Sequence, residues 1–207
     1  MSQHDRPTDP AVTAGLVQAL RAADDPWDPM APIALGLTGV AETQGLLLAR
    51  LAEHHRGDRD VDGLATGLGL LRIGSPAAIA SLGEVLRSSV RRPGQLHATA
   101  VALHRLGDRQ IGSMLIERFV DGGGHLGGTA ACAAALAEVG DHRAVPPLVA
   151  VLRDGTRSID VRSIAAAALG VLCDDAPLRW NARLGQDLVV SWEIPFLFLS
   201  DGVLWVL

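Results

Sequence analysis

A spacing that recurs along the chain constrains its fold more than any single residue does. Aligned without gaps, LTGVAETQGLLLARL, RIGSPAAIASLGEVL, RLGDRQIGSMLIERF and EVGDHRAVPPLVAVL share a glycine at one position. These anchors are Gly39, Gly74, Gly107 and Gly140, with Cys173 in the fifth place, at intervals of 35, 33, 33 and 33 residues. Four residues before each anchor stands Leu35, Leu70, Leu103, Leu136 or Leu169, preceded by the small Ala34, Gly69, Ala102, Ala135 or Ala168. Eight residues after the glycines come Leu47, Leu82, Leu115 and Leu148, and twelve after them Leu51, Leu86, Phe119 and Leu152. A period of this length marks stacked units, each unable to bury its apolar face alone.

Each unit reads as helix, tight turn, helix. In the fourth, the first helix is expected from Thr129 to Val139, with Gly140 supplying the left-handed residue that closes it. Asp141 suits capping of the next segment. Pro146 and Pro147 lack amide donors and mark the first turn of a second helix ending near Arg153, with Leu148, Val149 and Leu152 as its apolar stripe. Helices of about ten residues are marginal in isolation, so the stacking must stabilise them. The composition agrees: Leu and Ala, both strong helix formers, supply 31 positions each, and aromatic residues only 3%.

The pattern A-L-x-x-x-G-D-x-x-A-V-x-x-L-x-x-x-L resembles the short HEAT-like repeats of phycocyanobilin lyases, most closely over Ala130–Leu152 and next over Ala98–Phe119, where Gln110 and Ile111 replace Ala-Val. Ankyrin and tetratricopeptide signatures are absent. The resemblance spans about residues 31–188. It implies an all-α, right-handed α-solenoid of about five stacked helix–turn–helix units. Their expected bounds are 31–62, 63–95, 96–127, 128–160 and 161–188, after a capping helix and linker in 1–30 and before an apolar cap in 189–207. The N-terminal helix is expected over Thr8–Ala23, with Thr8 or Asp9 capping it, followed by the proline-broken Asp24–Met30. Ser200-Asp201-Gly202 lies between apolar runs, so the last segment reads as an irregular or hairpin-like cap that also offers a route to self-association.

Several chemistries are excluded by residue type. All 18 basic residues are Arg, and no Lys or Tyr occurs, which removes phosphate-loop, Schiff-base, kinase and S-x-x-K serine chemistry. A net charge of −5 disfavours nucleic acid and anionic membranes as partners. Two cysteines fit a reducing, cytoplasmic setting. Glu193, Pro195 and Asp201 interrupt the one long apolar stretch, so no membrane span is expected. Both Cys132 and Cys173 read as small buried hydrophobes too far apart for a disulfide.

Gly122–Gly127 satisfies G-x-G-x-x-G, but a helix end, ERFVD, precedes it where a dinucleotide site needs a strand. It reads as a linker. Deoxyhypusine hydroxylases, also built on HEAT-like repeats, hold iron through His-Glu pairs. Here His97, His104, His125 and His142 are followed by Ala, Arg, Leu and Arg, and His54-His55 reads as a solvated helix end. No metal, cofactor or catalytic residue is therefore expected.

What remains is surface. In solenoids of the family resembled, the second helices line the concave face. Positions 10, 11, 13 and 14 after each anchor should point away from the core, and they hold Arg50, Glu53, Glu84, Arg87, Glu117, Arg118, Arg153 and Asp154. The arginines suit bidentate capture of carboxylates and peptide groups on a partner protein or peptide. An ordinary solvated face with i, i+3 ion pairs is the competing reading. A non-enzymatic protein-binding scaffold is the expectation. The alternative is an accessory lyase-type role in handling a bilin or other tetrapyrrole.

Overall fold

The computed structural model describes residues 9–22, 30–54, 61–122 and 125–173. The linker at 23–29, the glycines at 123–124 and everything after Cys173, including the expected cap, lie outside the described residues. Ten α-helices follow one another among the described residues: α1 (Pro10–Ala22), α2 (Met30–Thr38), α3 (Thr43–His54), α4 (Val61–Leu71), α5 (Pro76–Ser88), α6 (Pro93–Arg105), α7 (Ile111–Val120), α8 (Leu126–Val139), α9 (Val145–Arg153) and α10 (Ile159–Leu172). Short 3₁₀ turns at Ser89–Arg91 and His142–Ala144 precede α6 and α9. No strand occurs among the described residues. The protein is all-α there, with neighbouring helices packed in series.

Contacts divide the chain into two compact units, Met1–Ser88 with Val101–Asp108, and Ser89–Ala100 with Arg109–Leu207. In the first, α2 packs against α1 and α4, and α3 against α4 and α5. Its core is built from Leu35, Leu47, Leu51, Leu64, Leu68, Leu82 and Leu86, all buried. In the second, α7 packs against α8 and α9, and α10 against α8 and α9. Leu96, Ile111, Leu115, Phe119, Leu136 and Leu148 fill that core. Each such side chain contributes about 1.5–3 kcal/mol on burial, enough to fix short helices that would not persist alone.

Local chemistry sets the helix ends. The Asp9 carboxylate accepts from the Ala11 amide at 2.8 Å, so Asp9, one of the two expected caps, opens α1 at Pro10. Ser75 and Ser158 hydroxyls accept from the Ala78 and Val161 amides at 3.2 and 3.4 Å. His125 Nδ1 accepts from the Gly128 amide at 3.0 Å, which starts α8 three residues before the expected Thr129. Gly140 has the left-handed conformation (φ 69°, ψ 27°) that closes α8. Asp141 caps the 3₁₀ turn by accepting from the Arg143 amide at 3.0 Å.

The anchor glycines do not share one role. After α4 the left-handed residue is Arg72 (φ 53°), two places before Gly74. Gly74 is required for a different reason: a Cβ there would overlap the Leu106 carbonyl oxygen. The core rows also shift at the end of the series. On α9 it is Val151, at 4% exposure, that is buried, while Leu152 is only half-buried. Leu70 and Leu169 are likewise half-buried among the leucines preceding the anchors. Cys132 is buried as expected, but Cys173, the C-cap of α10, is exposed. Cys173 takes φ −103° and ψ 5° and so needs no glycine.

Candidate functional site

The second helices carry the candidate charges on two distinct rows. On α5, Glu84 and Arg87 are exposed while Val85 between them is buried at 2%. On α9, Ala150 and Arg153 are exposed and Val151 is buried. Arg50 on α3 and Arg118 on α7 stand at the register position of Val85 and Val151, and both are half-buried. That position, eleven residues after the anchor, therefore faces the edge of the core. An arginine fits there because its aliphatic stem covers apolar surface while the head reaches water. The positions ten and thirteen after the anchor are the solvent rows, except at half-buried Val120, and they hold Glu84, Arg87, Glu117 and Arg153.

Within the first unit, both candidate arginines meet a carboxylate on their own helix. Arg87 Nη2 donates to Glu84 Oε2, and Arg50 Nη1 lies 3.7 Å from Glu53 Oε2. An exposed pair such as Arg87–Glu84 contributes at most about 1 kcal/mol.

Within the second unit, Glu117 is exposed on α7. Asp154 is taken up by the loop after α9: it accepts from the Thr156 amide at 2.9 Å and the Thr156 hydroxyl at 2.6 Å, with Arg157 Nε at 3.4 Å. Those hydrogen bonds, from Thr156 first, hold its carboxyl below the usual range. Arg157 in turn donates to the Val120 carbonyl at 2.8 Å and so closes α7. The Gly122–Gly127 run follows the helix α7, not a strand. Its His125 is spent on the α8 cap, and its Gly122 carbonyl accepts from the Thr129 hydroxyl at 2.9 Å.

One pair escaped the sequence reading. His97, at the 1% exposure of a core residue, places Nε2 3.3 Å from Glu138 Oε2 on α8, at ion-pair distance but not aligned as a hydrogen bond. The two residues are 41 positions apart and form no dipeptide signature. Around the same part of the unit, Ser89, Thr99 and Thr129 are buried, and the Ser89 hydroxyl lies 3.4 Å from Gln95 Oε1. Among the described residues no group of three or more His, Cys, Asp or Glu side chains is placed to hold a metal ion. The described helices also include none long and apolar enough to cross a membrane.

Gly112 shows why the anchor glycine is followed by an aspartate in the fourth unit. A Cβ on Gly112 would overlap Asp141 Oδ2, so α7 leaves room for that carboxylate. The Arg143 guanidinium grips it with Nε at 2.9 and 3.1 Å and Nη2 at 2.7 Å. The hydrogen bond and charge of Asp141 raise the pKa of Arg143. The arrangement is a turn clamp and touches no candidate ligand position.

No curated protein matches the chain. Residues 130–154, which comprise most of α8, the Gly140-Asp141 turn and α9, match the family model described as PBS lyase HEAT-like repeat. The helix–turn–helix unit built on Gly140 is thus similar to a PBS lyase HEAT-like repeat.

Proposed function

We propose that this chain is a non-enzymatic scaffold that binds a protein or peptide through the solvent rows of its second helices. The observation that supports this reading is the separation of rows. Apolar side chains go inward, while Glu84, Arg87, Glu117 and Arg153 stand outward on successive second helices. Planar guanidinium groups at those positions suit carboxylates and peptide oxygens. A cytoplasmic setting fits two cysteines that remain free thiols.

The test is affinity capture followed by mass spectrometry, repeated with Arg87→Glu and Arg153→Glu combined. Arg153 is the better partner for Arg87 than half-buried Arg118, because its reversal leaves core packing alone. Melting should be nearly unchanged and the recovered partner bound more weakly. Wild-type affinity for every recovered partner would overturn the reading. The name of the matched repeat family joins it to a lyase, which favours a second reading, the handling of a bilin. A shifted, stoichiometric absorbance spectrum after incubation with a bilin would support that alternative instead.

A further inference from the structure

Three loops of the second unit lie along one edge. The 3₁₀ turn Ser89–Arg91 packs on α8, and a Cβ on Gly127, in the first turn of α8, would stand 3.0 Å from Pro93 Cγ. The loop after α9 meets the loop after α7 in the same way. Arg157 donates to the Val120 carbonyl at 2.8 Å, and its Nη1 would stand 3.8 Å from a Cβ on Gly122. The Thr129 hydroxyl, on the first turns of α8, ties Gly122 to that helix. The starts of α6, α8 and α10 therefore share this edge.

Its arginines divide by how they are used. Arg157 is held by Asp154 and Val120, and Arg162 Nε donates to the Leu152 carbonyl at 3.0 Å. Arg91, Arg92 and Arg153 are exposed and meet no carboxylate among the described residues. On the acidic side, Asp154 is spent on Thr156 and Arg157, which leaves the exposed Asp121 and Asp160. The excess of positive charge is particular to this unit. Residues 89–100 and 109–173 hold eight arginines and six carboxylates, whereas residues 1–88 hold seven and eleven.

A positive edge on a chain of net charge −5 suits an anionic partner of limited length. Duplex nucleic acid, with one charge every ~1.7 Å along its whole length, is repelled by the acidic remainder. Single strands need aromatic platforms, and the described residues of this edge include no Phe, Trp or Tyr. The middle loop offers Leu126 instead, 36% exposed, an apolar contact of the kind a peptide side chain uses. Packed helices are spaced ~10 Å apart, so the loops after α5 and α9 stand ~20 Å apart, which roughly six extended residues cover. We propose that this edge binds an extended acidic peptide segment of a partner protein, with Arg91 and Arg92 holding carboxylates at one end and Arg153 at the other. Arg153 also belongs to the solvent rows, but Arg91 and Arg92 do not, so that pair tests this edge alone.

Fluorescence anisotropy of a labelled deca-glutamate peptide, titrated with the full chain, provides the test. The wild type should bind it, with affinity falling as salt rises. Arg91→Gln combined with Arg92→Gln should weaken binding about ten-fold and leave melting unchanged, because both side chains are exposed. Asp160→Asn, which removes an opposing charge from the edge, should tighten it. Arg109→Gln, exposed ahead of α7 at the end away from this edge, should change nothing. No binding by the wild type, or equal affinity in the Arg91 and Arg92 double variant, would overturn the proposal. An equal loss in Arg109→Gln would do so too, by reducing the effect to net charge. So would tighter binding of an oligothymidylate of the same length, because the edge would then be reading phosphate.

Discussion

Cys132 lies fully buried in α8, and burial pushes its thiol up to about 11, against the opposing charge of Arg118. A thiol held protonated in this way is a poor nucleophile. Alkylation of the folded chain near about pH 8 should therefore add one group, at exposed Cys173, as mass spectrometry would show. The same shift gives stability a pH dependence of definite sign. Unfolded, the thiol ionises from about 9, whereas the folded state holds its proton to about 11. Stability is full below that window and falls as pH rises through it, by about 3 kcal/mol at most. The window is unusually clean, because the chain has no Lys and no Tyr to titrate there. Denaturant melts across it should slope downward for the wild type and flatten for Cys132→Ala. Leu136 in the same helix sets the scale of the core. Leu136→Ala should cost ~2–5 kcal/mol, while Arg153→Ala, exposed at the end of α9, should cost under about 0.5 kcal/mol.

Helices α2 and α4 cross where neither can carry side chains. A Cβ on Gly36 would overlap the Gly67 backbone, and a Cβ on Gly67 would overlap the Pro32 carbonyl. Gly67→Ala must therefore push the helices apart and should cost ~1–3 kcal/mol, despite the better intrinsic propensity of Ala. Gly45 on α3 meets nothing within 4 Å, so Gly45→Ala should stabilise by up to ~1 kcal/mol. Opposite signs in urea melts would confirm the crossing, and equal signs would refute it. This contrast marks where sequence pattern stops being readable. The left-handed Gly140, the Asp141 cap and the proline start of α9 are set by neighbours within a few residues, so the pattern shows them. Gly74 answers to Leu106 and His97 faces Glu138, and no local pattern encodes either meeting. The candidate charges were readable as residues but not as rows. Whether Arg50 shares the surface of Arg87, and Arg118 that of Arg153, depends on which side of each second helix meets the core. The valines at the equivalent places on α5 and α9 reveal that only once they are seen buried.

Taken together, the molecule carries a net charge of −5 yet presents every positive charge as an arginine, none as a lysine. Those two facts predict different things about a partner. Net charge acts through the long-range field, which is screened within ~10 Å at 0.1 M salt and governs encounter rate. The guanidinium fork acts at contact, where two parallel N–H donors meet one carboxylate. Replacing Arg87 and Arg153 by Lys keeps the field and removes the fork, whereas replacing them by Glu removes both. If binding rests on bidentate contacts, the lysine pair should lose affinity several-fold, mostly as faster dissociation, with association and its salt dependence close to wild type. The glutamate pair should lose both. Kinetics of the captured partner measured at two salt concentrations separate the cases. Lysine variants that dissociate at the wild-type rate would reduce the arginines to a source of charge, and the solvent rows of α5 and α9 would then not be a contact surface.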